Sequence, residues 1–327
     1  MQCRSLCSFE RGYMKRLWLC AVATAVLAGC NSGEVIKKGG GSDEPQNADF
    51  DRVYEFTPAP GQFVNEPMAG YTGGETSPLA AAVYAERRLR EGNYLSLGGF
   101  GGYVVVGFDH DIANDGGANI AIVGNQREES NEPGVVWVMY DKNGNGLPDD
   151  EWYELAGSES GADAERYGTV RGYEVTYYRP TGKGQPVRWT DNLGGSGEID
   201  YLAQYHKQDS YYPAWITAEQ YTLRGTRLAA RNYDENADLP DKDPYWVNPP
   251  YGWGYADNLG SDAVELPGEA TYYTLHKIAD AVDADGKSVS LPSARFVKVQ
   301  TAVNTKSGWL GEASTEVFAI KDYNRIK

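Results

Sequence analysis

The sequence predicts an all-β fold of the sandwich type, with one short N-terminal helix and long loops. Three observations predict it. The 327 residues include 24 Tyr, 8 Trp and 39 Gly, a composition of strand formers and turn formers. Short runs rich in Val, Tyr and Ile recur about every ten residues, separated by Gly, Asn, Asp and Pro. No long helical patterns alternate with these runs, which excludes a series of βαβ units.

Taken in order, the chain begins with a targeting segment. Lys15 and Arg16 form a positive region, and Leu17 to Leu27 is an apolar stretch of 11 residues, far short of the roughly 20 that a membrane span requires. It ends in Leu27-Ala28-Gly29-Cys30, small residues leading into a cysteine, the pattern cut by lipoprotein signal peptidase. Residues 1–29 are expected to be removed, with Met14 the better start, and Cys30 is the expected lipidation site. The other cysteines, Cys3, Cys7 and Cys20, fall in the discarded part. The mature chain therefore has no disulfide and no cysteine chemistry beyond acylation.

Residues 30–48 read as a polar tether, with a Gly-Gly-Gly-Ser run and Asp43-Glu44-Pro45. The globular domain is expected over residues 49–327. Its helix is marked by Ser77 as N-cap, Pro78 at the first helical position, Leu79 to Glu91 as body and Gly92 as stop. Strands are predicted at Tyr94–Leu97, Tyr103–Phe108, Asn119–Val123, Val135–Tyr140 and Trp152–Leu155, then at Tyr173–Tyr178, Tyr221–Ala229, Arg295–Thr301 and Thr315–Ile320. Apart from Tyr221–Ala229, the stretch Asp191–Ser261 reads as long and irregular, a length that points to function.

The charge narrows the partners. The chain has 30 Lys and Arg against 46 Asp and Glu, and is more acidic still once residues 1–29 are removed. Nucleic acid and anionic lipid headgroups reward basic surfaces and are excluded as partners. A cation is a natural ligand.

The sharpest candidate for one is Asp141-Lys-Asn-Gly-Asn-Gly-Leu-Pro-Asp-Asp-Glu151. Side-chain oxygens from Asp141, Asn143, Asn145 and Asp149, with Gly146 at the turn and the Leu147 carbonyl, reproduce the front of an EF-hand loop. Calcium is the expected ion. Trp152 stands where the bidentate Glu belongs, so Glu151, Asp150 or a residue remote in sequence would replace it. The same residues also suit a polar hairpin turn between two strands.

Five aromatics crowd the segment from Tyr245 to Tyr255, where prolines and glycines forbid regular structure. Trp246, Tyr251, Trp253 and Tyr255 are the candidate ligand-binding rings, able to stack on sugars, on a corrin-like macrocycle or on a partner protein. Tyr205, Tyr211, Tyr212 and Trp215 would extend the patch, unless the rings fold back as a satellite core. The run Gly98-Gly-Phe-Gly-Gly102 leads into a strand, so it offers no helix N-terminus to a phosphate. There is no Gly-x-Ser-x-Gly elbow, and His110, His206 and His276 lack metal-ligand spacing. Acid pairs such as Asp149/Asp150 and Asp241/Asp243 arise by chance in so acidic a chain. An enzyme is therefore not expected; the alternative to ligand capture is an adhesion or scaffold module, which would present a flat aromatic patch. If the chain were an enzyme, two carboxylates should converge in a cleft.

Several segments carry a resemblance: Leu97–His110, Glu132–Val138, Trp152–Ser158, Trp253–Asn258, Phe296–Ala302 and Gly311–Glu316. Together they look like a family of surface lipoproteins of gut Bacteroidota known only as cell surface proteins. The resemblance runs over most of residues 60–323 and implies a jelly-roll or galactose-binding-like sandwich. It also implies a nutrient-capture role beside a TonB-dependent transporter at the outer membrane surface, with a corrinoid such as cobalamin as leading ligand and a glycan second. It carries over no catalytic residues.

Overall fold

The longest strand of the computed structural model, Tyr103–Ala113, starts with three consecutive valines after its tyrosine, and their branched side chains favour the pleated backbone. The structure describes residues 47–265 and 272–327, with the backbone alone at 162 and 163. The lipoprotein signal, Cys30 and the tether up to residue 46 lie outside the described residues. The last two residues assigned to the tether, Asn47 and Ala48, are part of the fold: their carbonyls accept from Arg325 Nη1 (2.6 Å) and from the Asp322 N–H (2.8 Å).

The first strands are β1 (Arg52–Thr57), β2 (Leu95–Ser96), β3 (Tyr103–Ala113), β4 (Ile120–Val123), β5 (Gly134–Met139) and β6 (Trp152–Leu155). Next come β7 (Val170–Tyr178), β8 (Val187–Asp191), β9 (Ser196–Ile199), β10 (Gln220–Arg227), β11 (Tyr233–Asp234), β12 (Trp246–Val247) and β13 (Tyr255–Ala256). The last are β14 (Ala263–Glu265), β15 (Tyr272–His276), β16 (Ala281–Val282), β17 (Ser293–Thr301), β18 (Glu316–Val317) and β19 (Ala319–Asp322). The helix α1 spans Pro78–Arg90. It starts where the sequence places it, because the Ser77 hydroxyl accepts from the Ala80 N–H at 3.2 Å and Pro78 fills the first position.

The result is an all-β sandwich. One sheet runs β1-β3-β17-β5-β6-β16, with β13 paired to β5; a four-stranded sheet runs β14-β15-β4-β19. Across the first sheet Val106, Val297 and Val138 lie side by side, as do Val104, Val299 and Val136. These ladders share one core with Ile120 and Ile122 of β4, Ile320 of β19 and the Ala81, Ala85 and Leu89 face of α1. A further sheet, β10-β7-β8-β9, closes a second core built from Tyr173, Val175, Tyr177, Val187 and Leu223 around Phe100. No helix among the described residues is long and apolar enough to cross a membrane.

Two expectations change. The predicted strand Thr315–Ile320 divides: β18 pairs with β2, then the chain passes Phe318 and β19 pairs with β4 in another sheet. The stretch expected to be irregular, Asp191–Ser261, contains β9, β11, β12 and β13 besides β10. The glycine run has a purely steric reason. Gly98 has φ +71°, and a Cβ there would lie 2.1 Å from the Ala59 carbonyl oxygen.

Candidate functional site

The loop 141–151 is a tight turn held by its own side chains. Asp141 accepts the N–H groups of Gly144, Asn145 and Gly146, and Gly146 sits at φ 71° as a turn glycine must. The amides of Asn143 and Asn145 donate to Asp149. The substitutes for the twelfth ligand are engaged elsewhere. Glu151 accepts from Tyr153 Oη at 2.7 Å, and Asp150 accepts the N–H groups of Lys142 and Asn143. The Leu147 side chain is exposed.

The four aromatic residues expected to form a ligand patch do not form one. Tyr251 and Tyr255 are only 3% and 1% exposed and pack on each other in a core with Val135 and Leu228. Their hydroxyls face inward: Tyr251 Oη donates to the Ala229 carbonyl at 2.6 Å, and Tyr255 Oη accepts the Glu159 N–H. The glycines that kink this segment turn Tyr255 under the surface and leave Trp253 exposed. Trp246 is half-buried with its indole against Gly308. Tyr211, Tyr212 and Trp215 are likewise buried, so they do not extend a patch.

A concave site lined by both rings and acids lies elsewhere. A cavity of about 410 Å³ is lined by Glu132, Glu312 and Glu316 together with Tyr94, Tyr205 and Trp309. Tyr205 and Trp309 are each 50% exposed, with ring centroids 6.1 Å apart. The Trp309 indole N–H is anchored on the Pro244 carbonyl. His206 also lines the cavity, its ring edge-on to Phe63 and its Nδ1 3.4 Å from Glu66 Oε2.

Carboxylates converge here. Oxygens of Glu132, Asp257 and Glu316 lie within 4.8 Å of one another, brought together from the approach to β5, the end of β13 and the start of β18. Asp257 is the central clamp. Its Oδ1 accepts the Asn125 N–H, its Oδ2 accepts the Glu316 N–H, and its carbonyl accepts the Glu132 N–H. It does so at φ 51°, a left-handed conformation that Asp tolerates better than most residues. Glu312 sits nearby, with Oε1 accepting the Gln62 N–H at 2.7 Å.

Burial disfavours the charged form of each acid. It pushes Glu132 up to about 7 and Glu312 up to about 8. Asp257 and Glu316 are raised well above the usual carboxylate range, first by burial and then by the Glu132 charge. Such a cluster can hold a cation, share protons or donate and accept them at a bound ligand.

None of these acids is among the sequence-predicted site residues. Nothing in the local sequence around Glu132, Asp257, Glu312 or Glu316 marks them, because their convergence is made by segments far apart in the chain. Comparisons with protein-family models and with curated proteins found no match.

Proposed function

We propose that this chain is a ligand-capture lipoprotein, held by a lipid on Cys30 at the outer-membrane surface and serving a TonB-dependent uptake system. The observation that carries the binding role is the exposed Tyr205–Trp309 pair beside an acid-lined cleft of about 410 Å³. Exposed rings offer apolar faces to a sugar, and carboxylates accept from its hydroxyls. The exposed ring pair beside hydrogen-bonding acids favours a glycan, with a corrinoid as the second ligand. Calcium in the 141–151 loop remains part of this reading, as a brace for the hairpin between β5 and β6.

A second reading rests on the convergence of carboxylates in a cleft, the arrangement that glycoside hydrolysis requires. Calorimetry of the chain against a glycan panel and cobalamin tests the first reading. Trp309→Ala should weaken binding of a glycan by about tenfold. No heat with any member of the panel would end the glycan reading, and release of reducing sugar from a bound glycan would favour the second.

A further inference from the structure

Three carboxylates meet below the cleft without a basic residue among them. The basic residue of the cavity wall is His206, whose Nδ1 lies 3.4 Å from Glu66 Oε2. The cluster alone could be a set of protonated acids. A separate feature argues for a ligand. Gln126 is 4% exposed, and its Nε2 points at the Tyr272 carbonyl at 3.4 Å, which leaves Oε1 with no hydrogen-bond partner. That oxygen faces the cluster: a Cβ built on Gly124 would lie 2.5 Å from both Gln126 Oε1 and Asp257 Oδ1. Glu316, 3% exposed, likewise has an unpartnered Oε1. Glu132 Oε1 accepts the Ser314 N–H and both Asp257 oxygens accept backbone N–H groups, but Gln126 Oε1 and Glu316 Oε1 have no donor, and a cation is what satisfies several such acceptors at once.

We propose that Glu132, Asp257 and Glu316, with the Gln126 amide oxygen, bind one calcium ion at the floor of the cleft. The donors are all oxygen, the choice of a hard cation, and no thiolate or imidazole is present to favour zinc. Oxygens within 4.8 Å of one another can close on one ion, which holds its ligands at about 2.4 Å, by small side-chain shifts. Four protein oxygens leave two or more of calcium's six to eight positions for water or ligand, and those open toward the cleft. The ion would also tie together the segment after β4, the approach to β5, the end of β13 and the start of β18. This site is distinct from the 141–151 loop and does not depend on which ligand fills the cleft.

Calcium stoichiometry by equilibrium dialysis and melting with and without calcium test it, on the chelator-stripped full chain, Glu316→Gln and Asp141→Asn. The wild type should melt on the order of 5 °C higher in 1 mM calcium. Glu316→Gln should bind one ion fewer, with at least tenfold weaker affinity at this site. In chelator it should melt no lower than wild type, because it removes one of three crowded acids. Asp141→Asn should keep the cleft ion. Should Glu316→Gln fail to fold, Glu132→Gln gives the same readout. The proposal is overturned if wild type binds no calcium, the result expected of protons shared among acids. It is equally overturned if the bound ion survives Glu316→Gln and disappears in Asp141→Asn.

Discussion

Glu312→Gln separates the ionisation of a buried acid from its hydrogen bonding. Glu312 is 3% exposed, and burial pushes its carboxyl from an ordinary 4.5 to about 8. In the unfolded chain the group loses its proton near pH 4.5; in the native chain it keeps the proton until about pH 8. The unfolded state therefore binds fewer protons throughout that window, and stability falls as pH rises across it, by ~1.4 kcal/mol per pH unit. Between pH 4.5 and pH 7 the wild type should lose about 3 kcal/mol from this group alone.

In Glu312→Gln the amide retains an oxygen to accept the Gln62 N–H but cannot ionise. Its new N–H groups add an offset that does not vary with pH. The measurement is urea unfolding of both proteins in chelator at half-unit steps from pH 4.5 to 7.5, followed by circular dichroism. The stability of Glu312→Gln relative to wild type should climb by about 3 kcal/mol over the range up to pH 7. A difference flat to within about 0.5 kcal/mol would show Glu312 ionised in the native state and would refute the shift attributed to its burial.

Two further substitutions probe the fold and the correction to the aromatic patch. Ser77→Ala removes the side-chain acceptor that caps α1 and should cost about 1 kcal/mol of stability by urea unfolding, with ligand affinity unchanged. Tyr251→Phe strands the Ala229 carbonyl and should cost about 1 kcal/mol while leaving glycan affinity at the wild-type value in calorimetry; a loss of affinity without a loss of stability would return Tyr251 to the binding surface.

The parts of the fold written locally were legible. A cap, a proline and a terminal glycine define α1 within a single short stretch, and the valine runs of β3, β5 and β17 define the sheet that carries the core. β1 escaped because a bulge between Val53 and Glu55 breaks its register with β3, so its inward residues, Val53 and Phe56, fall out of the alternation that marks a strand. β9, with sequence Ser-Gly-Glu-Ile, has little intrinsic strand preference and exists because β8 pairs with it. β15 is different: Tyr-Tyr-Thr-Leu-His has strand composition, and it is not among the runs predicted from the sequence.

The candidate site was hidden for a reason of charge. In a chain with 46 acids, an acidic residue reads as solvated surface, and most of these are. What distinguishes Asp257 and Glu316 is that they are buried, at 0% and 3% exposure, and burial is set by contacts between segments far apart in sequence. Asp257 also takes a left-handed backbone that nothing in the local sequence Tyr-Ala-Asp-Asn demands. Its two carboxylate oxygens each hold an N–H from a different segment, so the conformation is fixed by what it clamps. A fold can remove a surface acid with little loss, but two buried acids, Asp257 and Glu316, whose proton affinity is raised by burial and by the neighbouring Glu132 charge, oppose folding at neutral pH unless something neutralises them. The strongly negative composition first suggested a cation somewhere in this chain. The place where a cation would change the energetics most is where the acids have been taken out of water.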